Sequence, residues 1–221
     1  MIPPPLVKIC GLRSVSDALE AAHAGVDWIG LNFHPRSVRF VEINQATEIV
    51  RALPEGTEAV GLFVDRPVEE VRAIARETGL RIVQLHGNEP VEAVVALADA
   101  GLRVVRAFRV KDAAAIEAMT RYVDQCERKS VALEGVLVDA YVPGLMGGTG
   151  QAIGDDLLDE LPRMPRLILA GGLTPENVAE RAARVLPWMV DVAGGVESVP
   201  GRKDIEKVRR FVQAARSVEI S

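Results

Sequence analysis

The chain contains little of what marks several specialised classes of protein. Only two of its 221 residues are cysteine, Cys10 and Cys126. They lie far apart in the sequence, so we expect a reducing compartment rather than a disulfide-stabilised scaffold. No apolar run approaches the roughly 18 residues of a membrane span, and residues 1–5 lack the basic start and apolar run of a signal peptide. We therefore expect a cytoplasmic protein with no membrane partner.

Basic residues are not in excess either. The chain has 26 Lys and Arg against 31 Asp and Glu, which gives a formal net charge of −5. This balance argues against nucleic acid or an anionic membrane surface as the main partner. A small anionic substrate is still compatible with it, because a binding site needs only a local positive potential.

The chain does contain a regular alternation of short apolar runs and amphipathic segments. The apolar runs predict eight strands, at residues 7–10, 28–33, 58–64, 81–85, 103–108, 135–139, 166–170 and 189–192. The amphipathic segments predict eight helices, at residues 17–24, 45–52, 68–78, 91–100, 113–126, 155–161, 175–185 and 203–216. Ser14 and Asp112 are candidate N-caps, and Thr174-Pro175 predicts a cap followed by a proline at the first helical position.

Strands separated by helices imply parallel strands joined by right-handed crossovers. Eight such repeats without a change in composition predict a closed (β/α)8 TIM barrel, a single compact domain over residues 1–221. The alternative, an open doubly wound sheet, needs a glycine cluster after its first strand, where Gly11 stands alone.

Two glycine pairs follow the last two predicted strands. In such barrels the active site lies at the carboxyl ends of the strands, and phosphate often binds after strands seven and eight. Gly171-Gly172 and Gly194-Gly195 occupy these two loops. Either pair alone could be an ordinary tight turn, but together they favour a phosphate site, since glycines let the backbone approach an anion closely.

Polar residues at other strand ends are the candidate reactive groups. Cys10 ends the first strand, Asp139 ends the sixth, and Gln84 and His86 lie at the end of the fourth. Each has an ordinary explanation: a buried thiol, a turn-capping carboxylate, or polar residues hydrogen-bonded near the rim. Together, a thiol and a carboxylate facing one pocket form a base–acid pair suited to moving protons on a sugar.

Three charged residues are expected near these groups. Lys8 shares a strand face with Cys10, and a closed barrel places the eighth strand, with Asp191, beside the first. An ion pair between Lys8 and Asp191 is expected; it is either purely structural or tunes the environment of Cys10. After the second strand, Arg39 could clamp a carboxylate with two hydrogen bonds, whereas Arg36 is interpreted as a solvated loop charge.

Many short segments, in order along nearly the whole chain, resemble the phosphoribosylanthranilate isomerase family of tryptophan biosynthesis. They are Lys8-Ile9-Cys10-Gly11 with Asp17-Ala18, Ser37-Val38-Arg39, Gly61-Leu62-Phe63-Val64, Val83-Gln84-Leu85-His86-Gly87, Leu137-Val138-Asp139, Gly147-Gly148-Thr149-Gly150, Ala170-Gly171-Gly172-Leu173 with Pro175-Glu176-Asn177-Val178, and Asp191-Val192 with Gly195-Val196-Glu197 and Pro200-Gly201. The resemblance implies an Amadori rearrangement, in which an N-linked aminoaldose phosphate becomes an aminoketose.

The resemblance also implies a role for each candidate residue. Cys10 corresponds to the general base, Asp139 to the general acid, and Arg39 to the residue that holds the anthranilate carboxylate. As acid, Asp139 must carry a proton near neutral pH, whereas Cys10 needs thiolate character, which Lys8 could favour. Gln84, His86 and Asp191 are expected to bind substrate, and Gly171, Gly172, Gly194 and Gly195 to cradle its phosphate.

The expected partner is therefore a small phosphosugar, with no cofactor and no metal. A monomer is favoured and a homodimer is possible. The glycine-rich loop at residues 141–150 is a candidate cover for the substrate.

The chain departs from the family pattern at two sites. Val38 stands where the family usually has a proline, and Ala193-Gly194 replaces small hydroxyl or amide residues, so backbone N–H groups must bind that part of the phosphate. Two other functions stay open: another phosphosugar isomerase or epimerase, and a barrel that binds a phosphorylated ligand without turning it over. Arg39 distinguishes the first of them, because its role requires a second anion away from the phosphate.

Overall fold

The computed structural model describes residues 3–140 and 154–218, and it confirms the closed parallel barrel. Its eight strands pair in the order β1 to β8, and β8 closes on β1. The strands are β1 Leu6–Cys10, β2 Trp28–Asn32, β3 Glu58–Phe63, β4 Ile82–Leu85, β5 Arg103–Val110, β6 Gly135–Ala140, β7 Leu167–Leu169 and β8 Met189–Val192. The closing pair sets Lys8 opposite Asp191, as predicted.

In the part of the chain that the structure describes, eight α-helices follow the strands and cover the barrel. They are α1 Val15–His23, α2 Ile43–Ala52, α3 Val68–Thr78, α4 Val91–Asp99, α5 Ala113–Arg128, α6 Asp155–Asp159, α7 Val178–Val185 and α8 Ile205–Arg216. Two predicted caps are confirmed, because Ser14 accepts a hydrogen bond from Asp17 N and Asp112 accepts one from Ala115 N. No helix in the described ranges is long and apolar enough to cross a membrane.

Two helices begin later than predicted. Helix α7 begins at Val178 rather than at Pro175, but Thr174 does cap the turn that leads into it, because its Oγ1 accepts a hydrogen bond from Glu176 N. Asn177 Oδ1 accepts one from Thr174 N in the same turn. Helix α8 begins at Ile205 rather than at residue 203 because Asp204 caps it, accepting from two backbone N–H groups of its first turn. Lys203 belongs instead to a short hairpin of β9 (Glu197–Val199) and β10 (Arg202–Lys203).

The core consists of two apolar layers separated by the barrel wall. The larger lies between the strands and the helices, where Ile9, Leu31, Val83 and Phe211 are buried. The smaller fills the barrel interior and is formed by Trp28, Val60, Ile82, Val105, Ala107, Leu137, Ile168, Ala170 and Met189. Polar residues on the inner face toward the carboxyl ends of the strands then form the floor of the candidate site.

Candidate active site

A cavity of about 470 Å³ opens at the carboxyl ends of the strands. All ten residues predicted to form the site line it: Cys10, Arg39, Gln84, His86, Asp139, Gly171, Gly172, Asp191, Gly194 and Gly195. The structure therefore brings the residues that the sequence singled out together around one cavity, and their roles stay predictions. Among the described residues, no group of three or more His, Cys, Asp or Glu side chains is placed to hold a metal ion.

Cys10 is a buried thiol at the end of β1, beside Gly30 of β2. A Cβ at residue 30 would lie 2.8 Å from Cys10 Sγ, so the glycine makes room for the sulfur. Burial raises the pKa of the Cys10 thiol; the charge of Lys8 lowers it, but by less than burial raises it. The effect expected from Lys8 is thus present, but burial has the larger effect on the pKa of the thiol.

The Lys8–Asp191 ion pair lies directly below Cys10 in the barrel. Lys8 Nζ is 2.9 Å from Asp191 Oδ2, and both side chains are buried. Burial lowers the pKa of Lys8, but attraction to Asp191 and Cys10 more than offsets it, so that its pKa is raised and the lysine stays charged. Asp191 Oδ1 has no hydrogen-bond partner among the described residues, and Asp191 lines the cavity.

Gln84, His86 and Asp139 form a chain across the floor of the cavity. Gln84 Nε2 lies 2.9 Å from His86 Nδ1, and His86 Nε2 lies 3.5 Å from Asp139 Oδ2. Residues 84 and 86 lie on one face, because side chains alternate along β4 and the residue that follows it. This face meets Asp139 of β6 across β5, and that contact depends on the order of the strands in the barrel rather than on the local sequence.

Arg39 is held by a carboxylate that the sequence did not single out as a site residue. Its Nε and Nη2 donate to the two carboxylate oxygens of Glu197, at 2.7 and 2.8 Å. Lys203 Nζ donates to the same carboxylate and to Ala193 O, both at 2.9 Å. Gly11 has φ +85°, and a Cβ there would overlap the Arg39 side chain. The sequence feature that could have identified Glu197 as a site residue is its position, a charge immediately after the second glycine loop.

The loop that carries Arg39 is fixed by side-chain hydrogen bonds. Asn32 donates through Nδ2 to Ser37 Oγ at 3.1 Å and accepts from His34 N at 2.9 Å. Ser37 Oγ also accepts from Arg39 N at 3.1 Å. These bonds hold the loop that contains Val38. Arg36 is exposed at the mouth of the cavity.

Arg109 is a second cationic residue of the cavity that the sequence did not single out. It lies near the end of β5, in register with Asp139, and its Nη2 donates to His86 O at 3.2 Å. Its Nε has no partner among the described residues. Arg106, on the same strand, is instead buried against the backbone carbonyls of Leu85 and Gly87. The signal for Arg109 was a charge in an otherwise apolar strand end.

The two glycine loops lie against each other on one side of the cavity. Gly171 and Gly172 have φ of +81° and +63°, which favour glycine. A Cβ at Gly195 would overlap Leu173 O, so the loops can approach this closely only with glycine there. The predicted cover at residues 141–150 lies outside the described residues.

Comparison with known proteins gives one consistent result. The family model of N-(5'-phosphoribosyl)anthranilate (PRA) isomerase matches residues 7–214. The N-(5'-phosphoribosyl)anthranilate isomerases of Geobacter metallireducens and Rubrobacter xylanophilus are each 43% identical over 211 residues, 96% of this chain and 98% of theirs.

Solved structures agree with this result. The phosphoribosyl anthranilate isomerase of Thermus thermophilus superposes with a TM-score of 0.83 at 34% identity, covering 97% of this chain and all of the other. A phosphoribosyl anthranilate isomerase in complex with reduced 1-(o-carboxyphenylamino)-1-deoxyribulose 5-phosphate gives a TM-score of 0.79 at 32% identity, covering 96% of this chain and 98% of the other.

Proposed function

The chain belongs to the N-(5'-phosphoribosyl)anthranilate isomerase family of tryptophan biosynthesis, and we propose that Cys10 and Asp139 carry out the proton transfers of its Amadori rearrangement. The reaction converts N-(5'-phosphoribosyl)anthranilate to 1-(2-carboxyphenylamino)-1-deoxyribulose 5-phosphate. The observation that supports these roles is that a thiol and a carboxylate, at the ends of β1 and β6, line one cavity beside two glycine loops.

Asp139 acts first, as the general acid. It donates its proton to the ring oxygen of the ribose while the bond between that oxygen and the anomeric carbon breaks. The nitrogen lone pair forms the C=N bond of a Schiff base, so the charge left on Asp139 is balanced by the iminium cation. Asp139 is only 8% exposed, and this burial keeps bulk water from competing for the proton.

Cys10 acts second, as the general base. Its thiolate removes the proton from the sugar carbon next to the anomeric one, and the electron pair moves toward the iminium nitrogen. The resulting enol tautomerises to the ketone. Lys8 is the fixed positive charge that stabilises the thiolate, in opposition to the cost of burial.

The remaining residues bind the two ends of the substrate. Backbone N–H groups of the loops at Gly171-Gly172 and Gly194-Gly195 suit the phosphate. Arg39 suits the anthranilate carboxylate: a guanidinium has five N–H donors, and Glu197 takes two of them. Asp191 Oδ1 is an acceptor for a sugar hydroxyl.

Two substitutions test the chemistry directly. Cys10→Ala and Asp139→Asn should each lower kcat by about 10²–10⁴-fold with little change in stability, as for removal of a general base or acid. Near-wild-type turnover by Cys10→Ala would exclude the thiol as base. Complementation of a tryptophan auxotroph that lacks this isomerase tests the function as a whole, and another phosphosugar isomerase or a non-catalytic barrel would fail it despite soluble expression.

We also propose a cytoplasmic monomer. Among the described residues only Val38 and Val199 are large exposed hydrophobics, which is too little for a large apolar interface. A relative from Thermotoga maritima is described as dimeric, so light scattering coupled to gel filtration is the deciding measurement. A mass of twice 23.8 kDa would overturn the monomer.

A further inference from the structure

Gln84 is a fully buried polar residue that core stability does not explain. It lies on β4, next along the inner barrel face from the apolar residue Ile82. Its Oε1 has no hydrogen-bond partner among the described residues. Leaving a buried carbonyl unpaired costs about 1–3 kcal/mol, which an apolar side chain of similar size would avoid. The hydrogen bond between the Gln84 amide and His86 is therefore the feature that can explain why a glutamine stands here.

That hydrogen bond determines where the imidazole of His86 carries its proton. The amide nitrogen of Gln84 can only donate, so His86 Nδ1, at 2.9 Å, must accept. A neutral imidazole that accepts at Nδ1 carries its proton on Nε2. His86 Nε2 lies 3.5 Å from Asp139 Oδ2 but makes no hydrogen bond with any described residue.

We propose that Gln84 is a positioning residue that fixes His86 in the tautomer with its proton on Nε2, the ring nitrogen nearer to Asp139. Its catalytic consequence rests on the proposed role of Asp139 as general acid. A proton on Nε2 places a hydrogen-bond donor beside Asp139, where it stabilises the carboxylate that ring opening creates.

Charged and titratable groups from four strands face the cavity around the ring. On β5, Arg109 donates to the backbone carbonyl of His86. On β6, Asp139 is the carboxylate nearest the ring. Cys10 of β1 and Asp191 of β8 line the same cavity, and Asp191 is already paired with Lys8. Protonation of Nδ1 would set two donors, Nδ1–H and the Gln84 amide, against each other.

The test is the nitrogen NMR spectrum of the protein labelled with ¹⁵N-histidine. The chain has only three histidines, and a His86→Gln variant assigns the signals of His86. Wild type should show the proton on Nε2 at neutral pH. Gln84→Glu, whose carboxylate accepts from Nδ1–H, should move the proton to Nδ1 or produce the imidazolium. Gln84→Met should lose the tautomer preference.

Kinetics provide the second readout. Gln84→Glu should lower kcat by about tenfold, a part of the 10²–10⁴-fold that a general acid contributes, with a much smaller change in KM. Gln213→Met, an exposed glutamine on α8, is the matched control and should change neither the spectrum nor kcat.

Two results would overturn the proposal: a wild-type His86 with its proton on Nδ1, or a Gln84→Met variant with wild-type tautomer and wild-type kcat. If Gln84→Met does not fold, the wild-type spectrum and the spectrum of Gln84→Glu still test the proposal. Full activity of Asp139→Asn would remove the role of Asp139 but would leave the tautomer result standing, so the two failures are distinguishable.

Discussion

Replacing Glu197 by glutamine should weaken both the fold and substrate binding. The Glu197 carboxylate accepts two hydrogen bonds from Arg39 and one from Lys203. The side chains of Arg39 and Lys203 are only 13% and 4% exposed. Removing one partner of a buried ion pair typically costs about 3–5 kcal/mol. Because glutamine keeps the shape and one acceptor oxygen, we expect a loss of about 2–3 kcal/mol in the free energy of unfolding, measured in urea.

Substrate binding should suffer because Arg39 loses the partner that fixes its guanidinium. We expect KM to rise about tenfold, equivalent to about 1.4 kcal/mol, with a smaller change in kcat. Glu206→Gln, which removes an exposed partner of Arg209 on α8, is the control and should change stability by less than about 0.5 kcal/mol. Equal stability and equal KM in Glu197→Gln and wild type would refute the structural role assigned to this carboxylate.

The stability difference should also depend on pH. Burial raises the pKa of Glu197, but the hydrogen bonds and charges of Arg39 and Lys203 more than offset it, so its pKa in the folded protein is lowered. Its contribution is therefore complete above the unfolded-state value of about 4.3 and is lost as the pH falls through the lower folded value. The advantage of wild type over Glu197→Gln should shrink in acid.

Three further results are expected from the cavity. Gly30→Ala should lower kcat and cost about 1–3 kcal/mol of stability by overpacking, because the new methyl group would lie 2.8 Å from Cys10 Sγ; unchanged kinetics would contradict this. The kcat/KM of wild type should rise from neutral to alkaline pH, since the base must be ionised and burial raises the pKa of Cys10; a flat profile would argue against a thiolate base. Arg109→Met should raise KM more than Arg36→Met does, because Arg109 is a half-buried cation with an unpartnered Nε among the described residues, while Arg36 is exposed; equal effects would contradict this.

The barrel and the location of the site were predictable because both follow from local patterns. Periodicity identifies each strand and helix from neighbouring residues, and the parallel topology puts every strand's carboxyl end on one face of the barrel. The Lys8–Asp191 pair was predictable for the same reason: closure makes β8 the neighbour of β1, and two opposite charges inside a barrel must pair.

The bonds that hold Arg39 were not predictable in the same way. Glu197 lies 158 positions from Arg39 along the chain and reaches it from a loop, where neither periodicity nor strand register fixes which side chains meet. The pKa direction of Cys10 also required the structure. Lys8 and burial act in opposite directions on the thiol, and only the three-dimensional arrangement decides which is larger.

The Lys8–Asp191 pair can be separated into a structural and a chemical role by changing both residues together. Lys8→Met alone leaves Asp191 buried and unpaired, which should cost about 3–5 kcal/mol, so its loss of activity would be uninformative. The double variant Lys8→Met/Asp191→Asn removes both charges and should recover much of that stability, which urea unfolding measures.

The activity of the double variant Lys8→Met/Asp191→Asn should not recover together with its stability. Without Lys8, the buried Cys10 loses its main stabilising charge, so the pKa of the thiol should rise further and kcat should fall at neutral pH. In the proposed binding mode Lys8 becomes more important still, because the phosphate and carboxylate of the substrate would bring negative charge into the cavity and occupy the arginines at its rim. Asp191→Asn alone is the control for lost substrate contacts, and because it leaves Lys8 buried without its carboxylate, its unfolding in urea is measured beside its activity. A double variant as active as that control would show that the pair is purely structural.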